Sequence, residues 1–454
     1  MATFFKRDAY AKLLQWKNES AGSTAMLIEG ARRVGKSSLA MEFGRQEYGS
    51  CILVDFSRST EEFKQTFLDT RSNLNQFFLY LQAFTGGSYI ERDTLIVFDE
   101  VQSFPQAREF IKHLVADGRY DYMETGSLIS LKRNVSDILI PSEEEAIVLR
   151  PFCFGEFLDA FGEGGLRALI AESRRALTPL PTELHRKAEL YFREYMLVGG
   201  MPQAVAAYVD ARDFGKVERA KKAILRLYRE DIAKYGGEDA HKIRSLFDDI
   251  PSQLSRKEKR LVLAELDKGA RTREYEDAIK WLSDACLVNN CYNCTDPDVG
   301  LNMTRGDAVK CYLADTGLLA TMAYGDDEES SPSLYQEILK GRIESNEGML
   351  AENVVAQQLV AAGRSLHFYS SYSRVAAERM EIDFLIRQPY PNAAMKTRIA
   401  PVEVKSGRRY KTVSLDKFKS KFGKKVGTEF VLHPRALEVK GDRICLPLYM
   451  SGVV

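Results

Sequence analysis

Residues 24–44, "TAMLIEGARRVGKSSLAMEFG", decide the fold of this chain. The first six residues, "TAMLIE", form an apolar run suited to a buried strand. A turn that contains two glycines follows, and "KSSLAMEFG" then opens a helical pattern. A buried strand that turns at once into a helix predicts the first unit of an α/β fold with a parallel sheet.

The turn has the Walker A spacing, in which four residues separate Gly30 from Gly35, Lys36 and Ser37. Glycines at these positions let backbone N–H groups curl around phosphate oxygens, and the start of the helix favours the anion. We expect Lys36 to reach the β and γ phosphates of ATP and the Ser37 hydroxyl to bind Mg²⁺. The predicted cofactor-binding residues are Gly30, Arg33, Gly35, Lys36, Ser37, Ser38 and Thr125.

A second buried run, "TLIVFDEVQ" at 94–102, ends in two acidic residues. Asp99 is expected to hold the Mg²⁺, and Glu100 to orient or deprotonate the attacking water, which predicts hydrolysis of ATP. Thr125, at the tip of the next strand, is expected to sense the γ-phosphate. Arg32, Arg33 and Arg150 are candidates for further phosphate contacts, although a surface ion pair is the alternative for each.

Composition limits the other classes of function. The 454 residues exceed one ordinary domain, and Lys plus Arg equals Asp plus Glu at 64 each, so no overall charge favours nucleic acid or membrane. No apolar run approaches the about 18 residues that span a bilayer, which predicts a cytoplasmic protein with no membrane partner. The seven cysteines, including the Cys291–Cys294 CxxC pair, favour reduced thiols over disulfides or a zinc site.

Several further segments together resemble a large prokaryotic family of AAA-type ATPases. These segments are "TGS" at 125–127, "LRPFCFGEFL" at 149–158, "YMLVGGMPQAV" at 195–205 and "YLADTGLL" at 312–319. The family pairs a P-loop domain with an uncharacterised, restriction-endonuclease-like C-terminal domain. The chain departs from it at Pro141, where many relatives have a Gly-Arg pair, so any role of that arginine is in doubt here.

The middle of the chain predicts helices followed by a helix and strand pattern. Apolar residues at spacings of three and four over about 156–232 predict a helical lid, or a plain structural subdomain. The stretch from 243 to 319 has the layout of a winged helix, which the resemblance also implies. This stretch either contacts DNA through its basic residues or serves as a packing module. The second alternative stays open because acidic residues are interleaved with the basic ones.

The tail carries a pattern of acidic residues and one lysine. A helix at 346–362 contains Glu352, a strand "MEIDFLI" at 380–386 contains Asp383, and "PVEVKSG" at 401–407 places Glu403 and Lys405 on one face of a strand. This is the order of PD-(D/E)xK nucleases. We expect Asp383 and Glu403 to bind Mg²⁺ or Mn²⁺ with Glu352, and Lys405 to position or activate a water. Glu347 is a substitute for Glu352, and an ordinary ion-pair cluster is the alternative for the whole group.

A basic strip follows at 408–427, where aromatic residues alternate with lysine and arginine. It is either a contact for a phosphate backbone or a solvated amphipathic helix. The predicted domains are therefore a P-loop ATPase core (1–155), a helical lid (156–235), a winged-helix-like domain (236–335) and a PD-(D/E)xK nuclease-like α/β domain (336–454).

Two functions remain open at this point. The first is an ATP-hydrolysing enzyme, with Lys36 and Glu100 as catalytic residues, that controls a metal-dependent site at Lys405 acting on DNA or RNA. The second is a nucleotide-dependent switch that binds a protein partner or associates with itself, and whose tail is catalytically silent. A complete tail motif favours the first, whereas overall neutrality favours the second.

Overall fold

The computed structural model describes residues 4–127, 142–256, 258–262, 272–297, 300–301, 305–325, 330–339, 347–371, 379–389 and 397–454. The chain forms two compact units. One consists of Met1–Arg150 with Asp284–Cys286, and the other of Pro151–Ser283 with Leu287–Val454. Pro141, where the sequence departs from the family pattern, lies outside the described residues.

The first unit is built on a five-stranded parallel sheet in the order β2-β3-β4-β1-β5. This confirms the predicted parallel α/β core. The last strand ends at Val148, but its ladder continues as Leu149 N donates to Glu29 O at 2.7 Å. The strands are β1 (Ala25–Glu29), β2 (Ser50–Asp55), β3 (Thr94–Asp99), β4 (Asp121–Gly126) and β5 (Glu144–Val148).

Helices cover both faces of this sheet, as a buried parallel sheet requires. One apolar cluster contains Phe98 and Tyr122 together with the aromatic residues of α3, α4 and α5. Another contains Val97 and Met123 with apolar residues of α1 and α2. The helices are α1 (Ala9–Ser20), α2 (Lys36–Glu47), α3 (Glu61–Thr70), α4 (Leu74–Thr85) and α5 (Pro105–Asp117).

The second unit begins with helices, in agreement with the periodicity of residues 156–232. They are α6 (Phe154–Ala160), α7 (Gly164–Ala176), α8 (Thr182–Val198), α9 (Pro202–Ala211) and α10 (Phe214–Tyr235). Further along the chain lie α11 (Ala240–Ser255), α12 (Thr272–Asp284), α13 (Thr316–Tyr324), α14 (Ser330–Leu339), α15 (Glu347–Ala361) and α16 (Val413–Phe422).

Two sheets complete the second unit. One has the order β7-β6-β8-β9 and the other β10-β11-β12-β14-β13. Strand β6 pairs with β7 in antiparallel orientation and with β8 in parallel orientation. Because β8 follows residue 335 and β6 precedes it, strand pairing crosses the predicted domain boundary at that residue. The winged-helix assignment stays a prediction. The strands are β6 (Val288–Cys294), β7 (Arg305–Leu313), β8 (His367–Ser371), β9 (Met380–Ile382), β10 (Phe384–Pro389), β11 (Thr397–Val404), β12 (Glu429–His433), β13 (Glu438–Lys440) and β14 (Arg443–Pro447).

Three of the family-like segments meet in a buried polar junction of the second unit. Phe152 N donates to Gly200 O at 2.7 Å, and Gly200 N donates to Asp315 Oδ2 at 2.6 Å. A Cβ at Gly200 would collide with the backbone of Phe152, which explains the glycine in "GGMP". These motifs therefore serve packing between chain segments far apart in sequence.

Helix α15 is fixed to this junction by its amide side chains. The Tyr195 hydroxyl donates to Phe152 O at 2.5 Å and accepts from the Nε2 atoms of Gln357 and Gln358, each at 2.9 Å. All of these groups are buried. Because unpaired buried polar groups are costly, the network holds α15 in one position.

None of the described helices is both long and apolar enough to cross a membrane. All seven cysteines lie within the described residues, and none of them forms a disulfide.

Two candidate functional sites

The P-loop is shaped by backbone conformations that suit glycine. Gly30 and Gly35 have φ values of 147° and 98°, and a Cβ at Gly30 would collide with Leu149 O. Arg33 also lies in the left-handed region at φ 66°, with an exposed side chain. Helix α2 begins at Lys36, directly after the turn, so that its N-terminal N–H groups face the loop.

Lys36 lies inside the loop rather than in solvent. Its Nζ donates to Gly30 O at 3.2 Å and to Ala31 O at 3.0 Å, and its side chain is buried. Burial lowers the pKa of Lys36, while the carboxylates of Glu100 and Asp99 oppose that shift. Phosphate oxygens of a bound nucleotide could therefore replace these backbone carbonyls as the hydrogen-bond acceptors of the Lys36 ammonium group.

At the end of β3, Asp99 accepts hydrogen bonds from two hydroxyl groups. Ser37 Oγ donates to Asp99 Oδ1 at 2.6 Å, and the buried Thr125 hydroxyl donates to the same oxygen. The sequence placed these residues on three separate elements, and the structure brings them together. Hydroxyl and carboxylate oxygens are ligands that Mg²⁺ accepts, so the group fits the ion that accompanies ATP.

Glu100 follows β3 with a strained backbone. Its φ of 54° is uncommon for a residue with a side chain and costs about 1–3 kcal/mol. Its N–H donates to Thr125 Oγ1 at 3.4 Å, and its carboxylate accepts from the Gln102 amide. Gln102 was missed by the sequence reasoning, although it lies in the quoted "FDEVQ" segment. Ser38 is exposed at the start of α2.

The tail site is organised around Asp383, at a bend between β9 and β10. The single strand predicted over 380–386 is therefore wrong. The chain changes partner there, because β9 pairs with β8 whereas β10 pairs with β11. Asp383 Oδ2 accepts from Val404 N at 2.8 Å. Burial first, and then the charge of Glu352, raise the pKa of Asp383 to about 7.

Glu403 and Lys405 lie at the end of β11 and share one face, as predicted. Lys405 Nζ is 2.9 Å from Glu403 Oε2. Burial raises the pKa of Glu403, although Lys405 opposes that effect. Burial alone would lower the pKa of Lys405, but the carboxylates of Glu403 and Asp383 raise it. Lys405 is therefore a protonated donor at neutral pH.

Glu352 lies on α15 with a donor on each oxygen. Lys259 Nζ donates to Oε1, and the Tyr312 hydroxyl donates to Oε2 at 3.1 Å. Burial alone would raise the pKa of Glu352, but Lys259 and Lys310 lower it. The side chain of Glu347, the predicted substitute, lies outside the described part of the chain.

The sequence reasoning missed Lys310, on β7. Its side chain is 1% exposed and its Nζ lies 2.6 Å from Glu381 Oε1. Burial alone would lower its pKa, but Glu352, Glu381 and Asp383 raise it. The signal available in the sequence was a lysine at an inward-facing position of a strand. Such a charge is buried only when it is paired, so its position indicates a buried acidic partner.

Within the described ranges, no three His, Cys, Asp or Glu side chains are grouped closely enough to hold a metal ion. Asp383 and Glu403 carry hard oxygen donors of the kind that Mg²⁺ or Mn²⁺ prefers, whereas both oxygens of Glu352 already accept from donors. The metal role of these three residues stays a prediction.

Three lysines of the basic strip have structural partners. Lys419 contacts Glu429 and Asp442, while Lys417 and Lys421 donate to Arg379 O and the Tyr369 hydroxyl. Arg408, Arg409 and Lys411, by contrast, are exposed in the loop that follows Lys405. The contact of this strip with a phosphate backbone stays a prediction.

Comparison with protein families gives three matches, each to a part of the chain. Residues 22–158 match an AAA domain. This match supports an AAA-type ATPase that binds and hydrolyses nucleotide. Residues 189–329 and 347–450 match two domains of unknown function, DUF8612 and DUF4143. A search of curated proteins gave no match.

Several solved structures are distantly similar to this chain. One is a Signal Transduction ATPase with Numerous Domains (STAND) protein with a tetratricopeptide repeat sensor from Pyrococcus horikoshii, at 12% identity and a TM-score of 0.26, over 80% of this chain and 50% of that one. This chain thus spans half the length of that protein.

Two others are the RuvB Holliday junction branch migration motor of Thermotoga maritima and AMPPCP-bound DnaA of Aquifex aeolicus. They are 12% and 13% identical, each with a TM-score of 0.29, over 65% and 62% of this chain and 91% and 90% of theirs.

Proposed function

We propose that this protein hydrolyses ATP at its P-loop and thereby controls a metal-dependent, nuclease-like site in its tail that acts on DNA or RNA. The observation that supports the first half is the convergence of Ser37 and Thr125 on Asp99, beside the buried Lys36. The second half is supported by Asp383 at the bend next to the strand that carries Glu403 and Lys405.

At the P-loop, Glu100 accepts a proton from the water that attacks the γ-phosphorus. The bond between the γ-phosphorus and the bridging oxygen breaks, and ADP leaves with the electron pair. Lys36 stabilises the negative charge on the phosphates. Ser37 and Asp99 would hold Mg²⁺, which offsets the charge of the β and γ phosphates when it is bound.

In the tail, Asp383 and Glu403 would hold the divalent cation, which stabilises the charge that develops on a phosphodiester. Lys405, whose Nζ lies 2.9 Å from Glu403 Oε2, acts as a donor to the phosphate or the attacking water. The exposed side chains of Arg408, Arg409 and Lys411 contact the flanking phosphates.

Cleavage by the purified full-length chain tests this function. Single-stranded DNA, double-stranded DNA and RNA are incubated with Mg²⁺ or Mn²⁺, with and without ATP. We expect cleavage that Asp383→Ala and Lys405→Ala abolish, that Lys36→Ala makes insensitive to ATP, and that the control Lys419→Met retains. Cleavage that survives Asp383→Ala would contradict the tail site.

A second candidate is a nucleotide-dependent switch with a silent tail. It is favoured by one observation: lysine side chains, Lys259 and Lys405, already pair with the carboxylates of Glu352 and Glu403. Normal ATP turnover without cleavage of any substrate would support this switch, and the partner would then be a protein.

A further inference from the structure

Lys259 brings a positive charge to helix α15 from a distant part of the chain. Its Nζ forms an ion pair with Glu352 Oε1 and donates to Gly348 O at 3.1 Å. The side chains of Lys259 and Glu352 are each 12% exposed. The pair is therefore largely shielded from water. In such an environment an ion pair interacts more strongly than at the surface.

The backbone next to Lys259 is fixed on two sides. Leu261 N donates to Val309 O at 2.9 Å, and Val262 N donates to Gln253 Oε1 at 3.1 Å. These contacts tie the segment to β7 and to the end of α11. The ammonium thus reaches Glu352 from a well-defined anchor rather than from a free loop.

The ion pair occupies one of the two oxygens through which Glu352 could bind a divalent cation. The other oxygen of Glu352 accepts from Tyr312, so each carboxylate oxygen has a donor. A divalent cation binds oxygen lone pairs and repels a neighbouring ammonium, so the two cannot occupy Oε1 together. Lys310 is a poorer candidate for exchange, because it is 1% exposed and paired with Glu381.

We propose that Lys259 is a tethered cation that occupies the helix carboxylate of the tail site and competes with a divalent metal ion for it. Metal enters fully only when Lys259 leaves Glu352. This proposal rests on the proposed function, because it presupposes a metal at Asp383 and Glu403.

Binding of Mn²⁺ to the full-length chain, measured by electron paramagnetic resonance without nucleotide, tests the competition. All variants carry Asp99→Asn, which removes the predicted metal ligand of the P-loop. We expect Lys259→Met to bind Mn²⁺ at least about tenfold more tightly than the parent, which corresponds to about 1.4 kcal/mol. Lys259→Arg, which keeps the charge, and Lys419→Met, which removes a lysine from buried Glu429 elsewhere in the tail, stay near the parent value.

A second measurement uses unmodified protein, in case Lys259→Met does not fold. Reductive methylation of lysines, followed by mass spectrometry, reports whether Lys259 is free. We expect Mn²⁺ to raise the methylation rate of Lys259 by about fivefold, equivalent to about 1 kcal/mol, and Asp383→Asn to remove this effect.

The outcomes separate the two proposals. Equal Mn²⁺ affinity in the parent and Lys259→Met, with unchanged methylation, would overturn the competition and leave the metal site standing. Absence of Mn²⁺ binding in every variant would overturn the metal site itself.

Discussion

The carboxylates of the two candidate sites are satisfied by different kinds of donor. In the P-loop unit, Asp99 accepts from the neutral hydroxyls of Ser37 and Thr125. In the tail, Glu352 and Glu403 pair with the ammonium groups of Lys259 and Lys405. A hydroxyl can turn and share an oxygen with an arriving cation, whereas an ammonium has to leave. Under the proposed function, a metal ion would displace no charged partner at the first site, whereas at the second it would have to displace an ammonium group.

The two sites also differ in construction. The P-loop site lies at the ends of neighbouring strands of one sheet. The tail site takes Glu352 from a helix, Asp383 from a bend between two sheets and Lys310 from a strand earlier in the chain. The first is set by local chain geometry, and the second by packing over long sequence separations.

The largest expected effect would break the P-loop side alone. Lys36→Ala removes the ammonium beside the phosphates, and we expect ATP turnover to fall by about 100- to 1,000-fold. Binding of Mn²⁺ in the tail should not change. Lys12→Ala, at an exposed position of α1, is the control. Normal turnover in Lys36→Ala would show that the P-loop interpretation is wrong.

The next change weakens only the support of the tail site. Tyr195→Phe removes the buried hydroxyl that donates to Phe152 O and accepts from the amides of Gln357 and Gln358, so we expect a loss of about 2 kcal/mol in the free energy of unfolding. Urea denaturation measures it. Tyr191→Phe, whose hydroxyl donates to Glu163 at 3.1 Å at a less buried position, should cost less. A change in nucleotide affinity would contradict the separation of the sites.

A third test concerns a buried carboxylate in the P-loop unit whose neighbour is another carboxylate. Glu124 is fully buried on β4, where burial first, and then Glu144, raise its pKa well above the usual range. Above about pH 5 the folded state retains a proton that the unfolded state has lost, so stability falls as pH rises.

Glu124→Gln removes that dependence. Each unit of raised pKa is worth about 1.4 kcal/mol, so the gain in melting temperature over the parent should be larger at pH 8 than at pH 5. Glu144→Gln is the counterpart, because it removes the charge and one of the two oxygens that accept from Arg108 at 2.7 and 3.0 Å, and it should destabilise at both pH values. A gain for Glu124→Gln that is independent of pH would refute this account.

The smallest effect concerns the exposed loop of the tail. Arg408→Ala with Arg409→Ala should weaken binding of a DNA or RNA oligonucleotide about fivefold and reduce the salt slope by about 2, since two phosphate contacts are lost. Lys417→Ala with Lys421→Ala removes equal charge from lysines that already have partners, and should have less effect. Equal losses of oligonucleotide affinity in the two double variants would show that binding depends on net charge, and would contradict a specific role for Arg408 and Arg409.

The sequence predicted what depends on short stretches of chain. The strands that precede the P-loop and carry Asp99, and the start of α2 at Lys36, follow from apolar runs and glycine spacing. The face shared by Glu403 and Lys405 follows from strand alternation. By contrast, the break at Asp383 depends on which strand each neighbour pairs with, and no local pattern contains that information. Lys259 and Lys310 reach the tail site only through tertiary packing, so they could not be assigned to it in advance.

The left-handed backbone at Glu100 has a consequence for laboratory evolution. Glycine adopts this conformation without strain, so Glu100→Gly should stabilise the fold by up to about 1 kcal/mol while it removes the proposed base. Selection for thermal tolerance alone would favour that substitution and yield a sturdier, inactive protein. Selection for ATP turnover would retain glutamate despite its strain, so passaging under the two regimes would distinguish a working carboxylate from an accidental one.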